Sequence, residues 1–112
     1  MPLFVSSYLS NSVLQYQSDT GVFMGAFVTS GLGGLNRPRG LAFDTDGRLY
    51  VSSFSGNNVL RYNADGMFDR IFATGNGLMG PAGLAFGPDG KLCGQRPRHS
   101  QQRTSLQRGR HI

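Results

Sequence analysis

The sequence predicts an all-β fold built of repeated four-stranded antiparallel units. Three observations carry this reading: an internal repeat of 43 to 46 residues, short apolar runs of strand length, and Asp-Gly punctuation between them. The repeat is visible twice. Leu3-Phe-Val-Ser-Ser-Tyr-Leu-Ser-Asn-Ser-Val-Leu-Gln-Tyr16 lies over Leu49-Tyr-Val-Ser-Ser-Phe-Ser-Gly-Asn-Asn-Val-Leu-Arg-Tyr62, with eight of fourteen positions identical and two more exchanging Phe and Tyr. Gly40-Leu-Ala-Phe-Asp-Thr-Asp-Gly47 lies over Gly83-Leu-Ala-Phe-Gly-Pro-Asp-Gly90, with six of eight identical. The offsets, 46 and 43, differ through length changes in the Gly-rich segments around Gly31 to Gly34 and Gly75 to Gly77. Each unit of such an architecture buries its faces against its neighbours.

Within one period the runs 40–44, 49–53, 59–63 and 68–74 are rich in Val, Leu, Phe and Tyr. Each is of strand length and too short for a helix, and no segment sustains an apolar spacing of 3.6 residues. Asp46-Gly47, Asp65-Gly66 and Asp89-Gly90 mark tight hairpins that need a positive φ, and Gly56-Asn57-Asn58 marks another turn. Four strands, here a to d, in a period of this length are the mark of a β-propeller blade. Near-continuous apolar strands such as Leu49-Tyr50-Val51 fit a blade covered on both faces.

The units are unequal. Residues 38–76 make one complete blade, residues 3–29 supply strands b, c and d of a preceding one, and residues 81–92 supply strand a and the opening of strand b in a third. That amounts to about two blades, against the roughly six that closure of such a ring takes. The expectation is a partial propeller over residues 1–92 that leaves apolar blade faces and strand edges open, a liability for aggregation or assembly.

Charge divides the chain at the same place. The 112 residues carry 11 Lys or Arg, six Asp and no Glu, for a net charge of +5. Up to Gly90 there are five arginines and all six aspartates; from Lys91 onward there are six basic residues and no acid. Residues 93–112 are rich in Arg, Gln and Ser with almost nothing apolar, so the sequence predicts a disordered basic tail. A one-base shift of the reading frame near Cys93 permits the Val-Ala-Ser-Gly type of strand opening that the repeat calls for, so the tail also reads as frame-shifted. Its arginines could meet nucleic acid through charge alone, and the lack of interleaved aromatics argues against specific recognition. No apolar run reaches the roughly 20 residues of a membrane span. No signal peptide is evident, and compartment is otherwise unreadable. Cys93 is the single cysteine, which excludes an internal disulfide.

The blade Pro38-x-Gly40-Leu-Ala-Phe-Asp-x-Asp46-Gly47-x-Leu49-Tyr-Val, followed by Gly56-Asn-Asn-Val-Leu-Arg-Tyr62, resembles an NHL repeat and is similar to the six-bladed TolB-like group that includes gluconolactonases. WD-repeat proteins are less similar, since the Trp-Asp dipeptide cannot occur in a chain without Trp. The resemblance implies a binding or scaffold module. It leaves two alternatives: a fragment of a metal-dependent, gluconolactonase-like hydrolase, or a homo-oligomer in which three two-blade chains close a ring. A hydrolase of that kind would hold its metal with Glu, Asn and Asp. This chain has no Glu, and Ser7 and Ser53 stand where many NHL repeats carry Asp. Both histidines, His99 and His111, lie in the tail, so no nucleophilic triad can be assembled within the blades. Asp44-Thr-Asp46-Gly47 lacks the spacing and the closing Glu of a calcium loop. Gly31-Leu-Gly33-Gly34 is followed by a strand rather than the helix a phosphate loop requires. No catalytic, cofactor or metal residue is assigned, and whether the chain is an enzyme stays open.

Alternating hairpins put the a–b and c–d turns at one end of the blades and the b–c and d–a connections at the other. The first end collects Asp19, Asp44, Asp46, Asp65 and Asp89; the second collects Arg37, Arg39, Asn57 and Asn58. The resemblance implies binding at the second end, so these four residues form the candidate binding face for an unidentified ligand or protein.

Overall fold

The computed structural model describes residues 2–75, 77–88, 90–95 and 103–105. Ten strands are present among them: β1 (Pro2–Ser7), β2 (Ser12–Gln17), β3 (Phe23–Val28), β4 (Pro38–Phe43), β5 (Leu49–Ser53), β6 (Asn58–Tyr62), β7 (Phe68–Thr74), β8 (Leu84–Phe86), β9 (Leu92–Gln95) and β10 (Arg103–Ser105). They form three antiparallel sheets, β1-β2-β3, β4-β5-β6-β7 and β8-β9-β10. Among the described residues a single 3₁₀ turn, Leu32–Gly34, lies in the connection from β3 to β4. β4 packs against both β1 and β8, which makes it the inner strand of the middle blade.

The strand pairing runs further than the sequence reading placed it. β9 continues through Cys93 to Gln95, and Arg103–Ser105 pair with it as β10. Ladder hydrogen bonds come from the backbone, so this pairing does not require the apolar side chains whose loss marks the sequence boundary at residue 92. The rest of residues 93–112, on which the predicted disorder falls, lies outside the described residues, as does Asp89.

The middle sheet presents one face to the first sheet and the other to the third. Leu49, Val51, Leu60 and Tyr62 of the middle sheet are fully buried and pack with Val13, Val28 and Leu35, flanked by Phe4, Phe27, Leu41 and Phe68. On the opposite face Tyr50 and Val59 pack with Leu92, flanked by Phe72, Leu84 and Phe86. β5 is buried at every position, which is why its sequence is continuous rather than alternating. The repeat reaches the irregularities too. β2–β3 slips register at Val13/Leu14 and Gln15/Tyr16, and β6–β7 slips at the matching Val59/Leu60 and Arg61/Tyr62. Bulges at equivalent places bend the two outer strands alike.

Polar contacts tie each sheet to the next. The Ser6 hydroxyl donates to the Arg39 carbonyl at 2.8 Å, and its repeat counterpart Ser52 donates to the Ala82 carbonyl at 2.5 Å. The inner strands approach so closely that a Cβ on Gly40 would stand 2.2 Å from the Ala82 oxygen. The buried Tyr62 hydroxyl donates to the Leu32 carbonyl at 2.7 Å, pinning the β3–β4 connection, and burial pushes its phenol well above the ordinary range. No helix among the described residues is long and apolar enough to cross a membrane.

Candidate binding face

The b–c turns (residues 8–11 and 54–57) and the long connections (residues 29–37 and 77–83) meet at one end of the sheets, joined by repeated contacts. Asn11 and Asn57 both adopt left-handed backbone conformations, with φ of 55° and 58°. Asn tolerates this conformation better than most residues. The Asn11 Oδ1 accepts from the Arg37 amide at 2.8 Å, and the Asn57 Oδ1 accepts from the Gly80 amide at 2.9 Å. Arg37 and Gly80 are themselves equivalent: each precedes a proline, and each is left-handed, with φ of 57° and 54°. Asn57 is thus a latch between neighbouring sheets as well as a turn residue.

Arg37 is clamped on both sides, since its carbonyl also accepts from the Phe54 amide at 3.0 Å. Its guanidinium stands 5.4 Å from the centre of the Tyr8 ring. That of Arg39 stands 4.8 Å from the Phe54 ring and 5.8 Å from Tyr8. Tyr8 and Phe54 lie 6.2 Å apart. Both arginines are exposed, and neither makes an ion pair among the described residues, whereas Arg48, Arg61 and Arg70 all do. Arginine over an aromatic face keeps its outer N–H groups free for a carboxylate or phosphate. Asn58, the fourth predicted residue, opens β6 between Ser53 and Thr74; it is half-buried, and its Oδ1 lacks a hydrogen-bond partner among the described residues. The sequence reading missed Tyr8 and Phe54, although they form one of the two Phe–Tyr exchanges in the repeat.

The opposite end is acidic, and there Arg48 pairs with both Asp44 and Asp46. Burial works to raise the Asp44 pKa, but hydrogen bonds from the Arg48 amide, the Tyr50 hydroxyl, the Asp46 amide and the Arg48 guanidinium outweigh it and hold the carboxyl below its usual value. At Asp46-Gly47 and Asp65-Gly66 the positive φ falls on the glycine alone, 83° and 89°, and Gly90 is left-handed as well at 80°. Among the described residues no three metal-ligating side chains converge.

No protein-family profile matches the sequence, and a search of curated proteins finds no match. Solved structures of β-propeller proteins do match. They include virginiamycin B lyase from Staphylococcus aureus (TM-score 0.66, 18% identity, covering 83% of this chain and 30% of that one). Hydrazine synthase from Kuenenia stuttgartiensis matches with TM-score 0.70 and 19% identity over 99% of this chain and 31% of that one. A nidogen–laminin complex matches with TM-score 0.61 and 18% identity over 93% and 43%. The chain thus spans about a third of the length of the first solved structures it matches. At these identities the likeness shows the fold alone: this chain is all-β and forms part of a β-propeller.

Proposed function

We propose that this chain is a β-propeller binding module that holds an anionic group on Arg37 and Arg39, seated against Tyr8 and Phe54. One observation carries the reading. Arg37 occupies a left-handed position where the next repeat has Gly80. A non-glycine residue there costs on the order of 1–2 kcal/mol. Backbone strain of this sort concentrates at functional positions, and here it is spent on an exposed cation without a carboxylate partner among the described residues. The finer kinship with NHL and TolB-like propellers belongs to the same proposal and rests on the blade motif from Pro38 to Tyr62.

The test separates binding from stability. In Arg37→Gly, relief of the left-handed strain and loss of one exposed cation–π contact, worth about 0.5–1 kcal/mol, nearly offset each other. The melting temperature is therefore expected to hold. Titration with an aspartate-rich peptide and, in a second arm, inorganic phosphate is followed by side-chain NMR of the arginines. Binding of either probe that is lost in Arg37→Gly and Arg39→Ala supports the reading. Binding that survives in both variants, or no binding of either probe, refutes it.

A further inference from the structure

The face of the first sheet that points away from the middle one is apolar and open. Register places Leu3 opposite Tyr16 and Val5 opposite Leu14, with Tyr16 in turn opposite Phe23, so these five side chains share that face. Leu3, Val5 and Phe23 are 49%, 40% and 57% exposed. The repeat supplies the comparison. Leu3, Val5, Leu14 and Tyr16 are identical to Leu49, Val51, Leu60 and Tyr62 at the 46-residue offset. Those four counterparts are all fully buried, against Val13, Val28 and their neighbours on the sheet before. Even the outer aromatic pair recurs, Tyr16–Phe23 at 5.4 Å and Tyr62–Phe68 at 5.7 Å. The open face therefore carries the surface that this protein elsewhere buries under the following-side face of a blade.

The chain also presents the complement. The following-side face of the third sheet carries Ala85, which is exposed, and Cys93, which is half-buried. The repeat makes them the counterparts of Ala42 and Tyr50, which line the same side of the middle sheet and pack against the third.

From this juxtaposition we infer that the Leu3–Val5–Leu14–Tyr16–Phe23 face docks a second copy of this chain, through the following-side face of that copy's β8–β9 hairpin. The contact is head to tail. It joins different surfaces of the two copies and repeats until the assembly closes. In the middle interface Leu92 packs with Tyr50; by the same equivalence, Leu3 of one copy meets Cys93 of the next.

The experiment uses the full chain. Light scattering across concentration is expected to show a mass rising above the 12.1 kDa of one copy. Leu3→Glu and Val5→Glu change half-exposed residues and so leave the fold intact. Each is expected to weaken association by at least about tenfold, as removal of a buried aliphatic contact does. Under mild oxidation Leu3→Cys is expected to cross-link to Cys93 of another copy, whereas Leu9→Cys, in the exposed turn between β1 and β2 at the opposite end, is not. A mass fixed at one copy at all concentrations overturns the inference. So does association unchanged by Leu3→Glu, or equal cross-linking by both cysteine variants.

Discussion

Gly47 and Gly66 are indistinguishable in sequence: each follows Asp in a hairpin, and each has a φ near +85°. Their surroundings differ. A Cβ on Gly47 would meet only the Ala64 Cβ at 3.5 Å, an ordinary contact, while one on Gly66 would stand 2.2 Å from the Phe27 carbonyl oxygen of the neighbouring sheet. Alanine at either site incurs about 1–2 kcal/mol for the left-handed backbone and regains about 0.4–1 kcal/mol from a stiffer unfolded chain. Gly47→Ala should therefore lose about 1 kcal/mol. Gly66→Ala must also move the β3 backbone by roughly 1 Å to restore a normal C···O separation. Overpacking of this kind adds about 1–3 kcal/mol, for a total of about 2–4 kcal/mol. Urea unfolding with a common slope gives the difference directly. In a thermal melt the extra loss for Gly66→Ala is on the order of 5–20 °C, at about 4–8 °C per kcal/mol for a domain of this size. Equal losses, within about 0.5 kcal/mol, would refute the close approach of the second hairpin to the first sheet.

Two further outcomes follow from repeated or charged contacts. Asn11→Ala and Asn57→Ala should each cost about 1 kcal/mol in chemical denaturation, because each removes the same hydrogen bond and a residue suited to the left-handed turn; a loss confined to one of them breaks the equivalence of the latches. Asp44 is held below its ordinary pKa, so its contribution is present above the unfolded value near 4 and is lost as pH falls through the folded one. Melts from pH 7 to pH 2 should therefore show Asp44→Asn less stable at neutral pH but with a flatter acid limb, and an unchanged slope would contradict this.

The all-β fold and most strands were legible because the repeat and the Asp-Gly turns constrain each other. The runs read at 40–44, 49–53, 59–63 and 68–74 correspond to β4–β7 with shifts of one or two residues at their ends. The grouping of Arg37 with Arg39 at the b–c end was also legible, since it needs only strand alternation. What escaped was contact across blades. Tyr8 and Phe54 lie in turns 46 residues apart, and only the third dimension brings both beneath the arginines. The left-handed Arg37 was hidden because its sequence neighbour Pro38 biases the preceding residue toward extended conformations. It is the Asn11 and Phe54 contacts that hold it otherwise.

The middle sheet alone has a neighbour on both sides, and this has a consequence for the order in which the backbone opens. In a nearest-neighbour stack, each unit's resistance to opening is set by the interfaces it shares. Amide hydrogen exchange should then form a gradient across the chain, slowest in β5 and β6, which open only with the whole assembly of sheets. It should be fastest in β1 and β3, whose protons exchange through local excursions that leave the centre folded.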